Sequence, residues 1–251
     1  GTGALARIPK QSQLGLAAEA NLVYQSACFQ RAGVSGFTPR LEGVLQVCSD
    51  LPRGALLVQE IVGRSVFLAG DLQSMARTLA SLHALALPPV SAREPLLNAA
   101  DPLTALANEI TEQAAHVSAA FLDSTVALTL SREQARLRRL CSAAARPERR
   151  LIAFDAHPGN FIVDRQDQAV LVDLEKCRYS YPGLDLAHAT LYTSTTWDVD
   201  TRATLTLREL LEFYAAWSAS AGSLSENAHA WHLPLRRAMW LWSISWCVKW
   251  R

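Results

Sequence analysis

The chain of 251 residues is long enough for one large domain or two lobes, and 50% of its residues are hydrophobic. Its 24 basic and 23 acidic residues give a formal net charge of +1, which is typical of a globular protein and gives no reason to expect nucleic acid or an anionic membrane as the main partner. The five cysteines show no C-x-x-C spacing, so neither a zinc site nor a disulfide framework is predicted, and reduced thiols favour a cytoplasmic location.

Residues 1–62 predict a small α/β domain. The stretch ALARIP is interpreted as a strand that ends at Pro9, and LGLAAEANLVYQSACFQRAG has helical periodicity with Gly33 as a stop signal. The apolar runs TPRLEGVLQVC and GALLVQEIV predict two strands, and SDLPRG between them is a hairpin signal.

Residues 63–251 predict a second, mostly helical domain. The first helix, DLQSMARTLASLHALAL, is expected to stop at Pro88, and the next is ADPLTALANEITEQAAHVSAAFLD. A third, LSREQARLRRLCSAAA, is expected to open with a capping box formed by Ser131 and Gln134. Further helices are predicted for TLRELLEFYAAWSASAG and for the tryptophan-rich C-terminal segment.

The stretch LIAFDAHPGNFIVD, residues 151–164, interrupts these helices with two apolar runs around a Pro-Gly loop. We expect the first strand to end at Asp155 and a return strand, AVLVD, to end at Asp173, with Asn160 on the loop between them. Pairing of the two strands would bring the three side chains to one edge. Two carboxylates and an amide oxygen suit Mg²⁺, and a phosphoryl-transfer site needs a base together with oxygen ligands for the metal.

The ordered motifs resemble the aminoglycoside phosphotransferase and choline kinase superfamily. The pattern D-x-H-P-G-N-x-x-V-D, V-x-V-D-x-E and D-L-A carries the resemblance, and LARIP, LLVQEIVG and LASLHALALP precede it in order. The resemblance implies an α+β, bilobal protein-kinase-like fold with a small, β-rich N-terminal lobe and a larger, mostly helical C-terminal lobe. The strands expected before LARIP are missing, so an incomplete N-terminal lobe is expected.

The resemblance also implies ATP and Mg²⁺ as cofactors and a role for each residue of the motif. Asp155 resembles the catalytic base that orients the acceptor hydroxyl, and Asn160 and Asp173 resemble the Mg²⁺ ligands. His157 is expected to hold the loop by hydrogen bonding rather than to act as an acid or base. Asp185 resembles a structural aspartate that braces the catalytic loop, with a helix N-cap as the alternative or additional role.

In the first domain, the resemblance implies a cation that contacts the α and β phosphates. Arg7, within LARIP, matches a position where Arg or Lys occurs, and Lys10 is the alternative. Glu19 is the expected partner of this cation on the following helix. Adenine is expected to stack beside QEIVG, at the backbone groups of Glu60 and Val62.

Glu175 and the tryptophans bear on the acceptor. The sequence DLE is more typical of choline and thiamine kinase-like members than of antibiotic-modifying ones, so a small alcohol such as choline, thiamine, an amino alcohol or a sugar is expected. A surface Glu175 paired with Lys176 or Arg178 is the other interpretation. The helical spacing of Trp242, Trp246 and Trp250 predicts core packing rather than an aromatic cage, and AMWLWSISWCV is too short to span a bilayer.

Two alternatives to a metabolite kinase stay open. One is an aminoglycoside-modifying kinase. The other is a pseudokinase-type binding module, which is favoured by the missing strands and by Ala153 and Phe154, because these replace a His-Gly or His-Asn pair and a bracing hydrogen bond is lost. The intact set Asp155, Asn160 and Asp173 favours the enzyme.

Overall fold

The structure, a computed structural model, describes residues 3–10, 12–116 and 123–249. An antiparallel sheet near the start of the chain contains β1 (Ala4–Arg7), β2 (Leu41–Leu45) and β3 (Ala55–Gln59), with β3 in the centre. The predicted hairpin between β2 and β3 is confirmed. Gly54 is required at its end because its φ is +64° and an added Cβ would lie 2.7 Å from the carbonyl oxygen of Leu45.

The first helix, α1 (Ala18–Gly33), packs its apolar face on this sheet. The predicted end at Gly33 is confirmed. The predicted start at Leu14 is wrong because residues 12–15 form a turn, in which the amide of Gly15 donates to the carbonyl of Ser12 at 3.3 Å.

After Val62 the chain leaves the first sheet. Strand β4 (Gly63–Ser65), which the sequence pattern did not predict, pairs with β6 (Phe161–Asp164), and β6 pairs with β7 (Ala169–Leu171). An added Cβ on Gly63 would lie 2.2 Å from the carbonyl oxygen of Val163, so this crossing needs a glycine. The division into domains 1–62 and 63–251 remains a prediction.

The helices that follow are α2 (Leu68–His83), α3 (Pro102–Ala114) and α4 (Ser124–Ser142). The capping box predicted at Ser131 and Gln134 is wrong because both residues lie inside α4. The helix begins at Ser124, and the side chain of its N-cap, Asp123, accepts a hydrogen bond from the amide of Thr125 at 2.7 Å. The helix predicted to run to Asp123 ends at Ala114, and residues 117–122 of that prediction lie outside the described residues.

The strand pairing predicted around the Pro-Gly loop is also wrong. Strand β5 (Arg150–Ile152) pairs with β8 (Arg178–Ser180) in a separate two-stranded sheet, whereas the strand after the loop, β6, pairs with β7. The loop therefore passes from one sheet to another, which a reading of local hairpin signals could not detect.

The remaining helices are α5 (Pro182–Thr190), α6 (Tyr192–Thr195), α7 (Leu207–Ala221), α8 (Leu224–Ala228) and α9 (His232–Lys249). One hydrophobic cluster joins α1, β3 and α2 to β6 and β7, and a second lies among α3, α5 and α9. The fold is thus α+β, with a small sheet first and a mostly helical remainder, as predicted. Within the described ranges, no helix has the length and apolarity needed to cross a membrane.

Candidate active site

Asp155 lies on the loop between β5 and a single 3₁₀ turn, Pro158–Asn160. The side-chain Nδ2 of Asn160 donates to the backbone oxygen of Asp155 at 2.8 Å. The amide of Val172 donates to the backbone oxygen of Asn160 at 2.9 Å, which places the neighbouring Asp173 beside the loop. The structure therefore brings the segments of the three predicted residues together through these hydrogen bonds rather than through one hairpin.

A buried carboxylate holds the N-terminal part of this loop. Asp185 accepts hydrogen bonds from the amides of Ala153 at 2.8 Å and Phe154 at 2.7 Å. Phe154 has a φ of +63°, a conformation that is costly for a bulky residue, so the two bonds stabilise a strained backbone. The N-cap role for Asp185 is wrong, because the N-cap of α5 is Tyr181 and the carboxylate of Asp185 is used by the loop.

Two residues that the sequence motifs did not predict orient Asp185. The Nε2 atom of His83 lies 3.1 Å from Asp185 Oδ2, and the indole Nε1 of Trp217 donates to His83 Nδ1 at 3.0 Å. Because Nδ1 accepts from the indole, the hydrogen of a neutral His83 is on Nε2 and points to Asp185. The sequence does contain His83 within LASLHALALP, but the motif alone does not show that this histidine contacts Asp185.

The carboxylate of Asp155 lies among three basic side chains. Lys176 Nζ lies 2.7 Å from Asp155 Oδ2, and His188 Nδ1 lies 3.7 Å from Asp155 Oδ1. Burial alone would raise the pKa of Asp155, but the charge of Lys176, with smaller effects of His188 and His157, outweighs burial and holds that pKa below its usual value. Burial lowers the pKa of His188 to about 4 and also lowers that of His157.

Arg7 forms ion pairs with two carboxylates. Its Nη2 atom lies 2.5 Å from Asp173 Oδ1 and 3.3 Å from Glu175 Oε2. Burial, with the nearby charge of Asp173, raises the pKa of Glu175. The pairing of Glu175 with Lys176 or Arg178 is wrong, because Glu175 contacts Arg7 and Gln13 instead.

The other residues assigned to the nucleotide are less closely placed. Lys10 is exposed and lines a groove of about 530 Å³ together with Arg7. Glu19, the predicted partner of Arg7, is exposed in the first turn of α1. Arg7 instead forms ion pairs with Asp173 and Glu175. The amide of Glu60 donates to the carbonyl of Gly3 at 2.8 Å, so this N–H is used by the sheet, whereas Val62 is exposed.

Asn160 and Asp173 fit Mg²⁺ as two ligands of an incomplete set. In the described ranges, no group of three or more His, Cys, Asp and Glu side chains could hold a metal ion. Because the Nδ2 of Asn160 is bonded to the loop, its oxygen is the atom left for a cation. Mg²⁺ commonly takes one or two protein oxygens and completes its coordination with phosphate and water, which agrees with this arrangement.

A pocket of about 240 Å³ opens beside Asp155. Its wall includes Lys176, Trp197, Trp242 and Trp246. The predicted core packing of Trp242 is confirmed, since it is buried and its ring centroid lies 4.9 Å from that of Phe154. Trp246 is only partly buried and faces the pocket, a difference that helical spacing cannot predict, and Trp250 lies outside the described residues.

Solved structures show the same fold. A choline/ethanolamine kinase family protein from Mesorhizobium loti is 17% identical, with a TM-score of 0.64 over 99% of this chain and 74% of that chain. The choline kinase LicA from Streptococcus pneumoniae is 17% identical, with a TM-score of 0.56 over 96% of this chain and 77% of that chain. An aminoglycoside phosphotransferase from Streptomyces rimosus, in complex with ADP and streptomycin, is 21% identical, with a TM-score of 0.54 over 94% and 86% of the two chains.

No curated protein matches the sequence significantly. The protein-kinase-like fold and the superfamily predicted from the motifs are confirmed by the shared fold and by a family match over residues 28–222, which covers Asp155, Asn160, Asp173 and Asp185. The chain belongs to the phosphotransferase enzyme family.

Proposed function

We propose that the protein transfers the γ-phosphate of ATP to a hydroxyl group of a small molecule and that it requires Mg²⁺. The observation that carries the proposal is the placement of Asp155 on a rigidly held loop, beside the segment of Asp173 and at the wall of a pocket. Phosphoryl transfer depends mainly on positioning and charge stabilisation, and this arrangement can supply both.

Each residue has a proposed role. The carboxylate of Asp155 accepts a hydrogen bond from the hydroxyl group of the substrate and orients the hydroxyl oxygen towards the phosphate. Asn160 and Asp173 hold Mg²⁺, which would neutralise charge on the phosphates when bound. Arg7 contacts the phosphates, because its guanidinium already lies at Asp173. The backbone near Glu60 and Val62 receives adenine.

The other residues predicted for the site lie around Asp155, Asp173 and Arg7. The predicted loop-holding hydrogen bond of His157 is not supported at Nδ1, which is buried without a hydrogen-bond partner among the described residues, and the ring packs edge-on against that of His188. Glu175 positions Arg7, with which it forms an ion pair. Lys10 is the second choice for the phosphate contact, because it is exposed and lines the same groove as Arg7. A cytoplasmic location suits an ATP-dependent enzyme with five free cysteines.

The acceptor is proposed to be a small metabolite alcohol: choline, thiamine, an amino alcohol or a sugar. Aminoglycosides carry several positive charges, and recognition of such compounds calls for complementary carboxylates. The pocket of about 240 Å³ has Asp155 and Asp173 as its carboxylates among the described lining residues, and both are already in ion pairs. This favours a small acceptor.

A direct test measures ADP release with ATP, a panel of small alcohols and kanamycin, with Mg²⁺ or with EDTA. The proposal expects alcohol-dependent ADP release that EDTA abolishes. Asp167→Asn is a suitable control for loss of a carboxylate, since the side chain of Asp167 is 90% exposed. Binding of ATP without turnover on any alcohol would favour a binding module, and faster turnover of kanamycin than of every small alcohol would contradict the acceptor class.

A further inference from the structure

Lys176 occupies the position in the pocket that a positively charged acceptor would need. Its Nζ atom lies 2.7 Å from Asp155 Oδ2 and 5.6 Å from the centroid of the Trp246 ring. The side chain is only 8% exposed, so its charge is held inside the pocket wall rather than in bulk water. Lys176 follows Glu175 on the short segment between β7 and β8, and this segment is anchored at both ends by strand pairing.

A carboxylate beside an aromatic face is the combination that attracts ammonium groups. Here the chain's own ammonium group uses both partners. A second cation next to Asp155 would be repelled by Lys176 at short range in a partly desolvated site, where charges interact strongly. The pocket wall also contains Trp197 and Trp242, which can contact apolar or ring-shaped surfaces without a positive charge.

The other described groups in the pocket wall offer little compensation to a cation. Asp173 contacts Arg7, which it shares with Glu175, and the proposed function assigns Asp173 to Mg²⁺, so this carboxylate is not open to a charged acceptor. His188 has a pKa of about 4 because of burial, and it is therefore a neutral group at physiological pH. Thr193 and Ser243 supply neutral hydroxyl groups that hydrogen-bond to each other at 2.9 Å.

From this geometry we infer that Lys176 is a specificity-determining residue that excludes positively charged acceptors, and that the acceptor is a neutral or anionic alcohol. The inference rests on the proposed function and narrows its acceptor class: a sugar or another uncharged alcohol fits, whereas choline, thiamine and amino alcohols, which carry a positive charge, do not. Lys176 is a positioning residue for Asp155 as well, because it fixes one of the two carboxylate oxygens.

Choline and its uncharged isostere 3,3-dimethyl-1-butanol provide a matched pair of probes, since they differ in shape very little and in charge by one unit. Binding of each is measured by titration of tryptophan fluorescence in the wild-type chain, Lys176→Met, Lys176→Arg and Arg208→Met. Arg208 is a control for loss of a positive charge, because its side chain is 84% exposed.

We expect the wild type, Lys176→Arg and Arg208→Met to bind the neutral isostere in preference to choline. Lys176→Met leaves Asp155 without its cation, so its preference should shift towards choline by about tenfold or more. A wild type that prefers choline, or a Lys176→Met variant with no shift towards choline, would overturn the inference. Lys176→Gln and thermal melts guard against a misfolded Lys176→Met.

The same variants separate this inference from the proposed function. ADP release is measured with ATP, Mg²⁺ and a panel of neutral, anionic and cationic alcohols. Absence of ADP release with every alcohol would contradict the kinase proposal, while the binding preference would still decide the role of Lys176. Turnover of a cationic alcohol faster than every neutral or anionic one in the wild type would overturn the inference and leave the kinase proposal intact.

Discussion

His83 and Asp185 form a buried pair, with His83 Nε2 3.1 Å from Asp185 Oδ2 and both side chains fully inaccessible to solvent. The pair connects α2 to α5 and directs the carboxylate to the amides of Ala153 and Phe154. The shape of the candidate catalytic loop therefore depends on a contact between two helices that are distant in sequence.

Asp185→Asn should destabilise the protein. The amide replaces one acceptor oxygen with a donor, which would face a backbone N–H or the N–H of His83, and it removes a buried charge-assisted network. We expect a loss of about 3 kcal/mol in the free energy of unfolding, measured by urea denaturation. Asp167→Asn, an exposed change of the same type, should have little effect. An Asp185→Asn variant as stable as the wild type would contradict a bracing role.

Gly63→Ala should weaken the junction between β4 and β6. An added Cβ would lie 2.2 Å from the carbonyl oxygen of Val163, and a backbone atom cannot move aside as a flexible side chain can. We expect a loss of about 1–3 kcal/mol in unfolding free energy. Gly33→Ala is the matched control, because an added Cβ there has no neighbour within 4 Å. Equal thermal midpoints for the two variants would contradict this prediction.

Arg7 and Lys10 can be separated by their effects on ATP. Arg7 is partly buried and contacts Asp173, whereas Lys10 is exposed. We expect Arg7→Met to raise the KM for ATP by about tenfold or more, in line with the loss of one charge-assisted contact, and Lys10→Met to change it much less. Initial rates at varied ATP concentrations check this. The opposite order would assign the phosphate contact to Lys10.

His188 should make stability depend on pH. Its pKa is about 4 in the folded protein because of burial, compared with 6.5 for an ordinary histidine, so the unfolded chain binds more protons between these values. The free energy of unfolding should therefore fall as pH falls from about 6.5 to 4, and His188 should contribute at most about 3 kcal/mol to that fall.

His188→Gln tests this dependence by urea denaturation at pH 7.5 and pH 5. Removal of the ring should lower stability at both pH values, but the difference between them should be smaller than in the wild type. His232, whose pKa burial also lowers to about 4, is unchanged in this variant and keeps part of the slope. An unchanged difference would show that His188 does not titrate in this window.

The sequence predicted the parts of the fold and site that depend on local patterns. The spacing of Asp155 and Asn160 around Pro-Gly defines one loop, and the hairpin of β2 and β3 follows from two apolar runs and a turn signal. Pairing of β5 with β8 could not be predicted this way, because β6 and β7, which pair with each other in another sheet, lie between them in the sequence.

The role of Lys176 was missed for a related reason. In DLEK it resembles a surface charge that follows an acidic pair, and only tertiary structure places its ammonium group against Asp155 and Trp246. The start of α4 was misplaced because Ser131 and Gln134 fit a capping box, while Asp123 satisfied the helix end earlier in the chain.

The central claim is that Asp155 acts on the substrate hydroxyl and Asp173 on the metal, and a comparison of variants at these two residues tests it most directly. Nucleotide affinity is measured by calorimetry with Mg-ATP, and ADP release is measured beside it, for Asp155→Asn, Asp173→Asn and the control Asp167→Asn. Asp155→Asn should keep Mg-ATP affinity close to the wild type while turnover falls by about 10²–10⁴, the usual contribution of a positioned base. Asp173→Asn should lose affinity and turnover together, because a metal ligand has lost its charge. Loss of nucleotide binding by Asp155→Asn to the same extent as by Asp173→Asn, or unchanged turnover in both, would contradict the account.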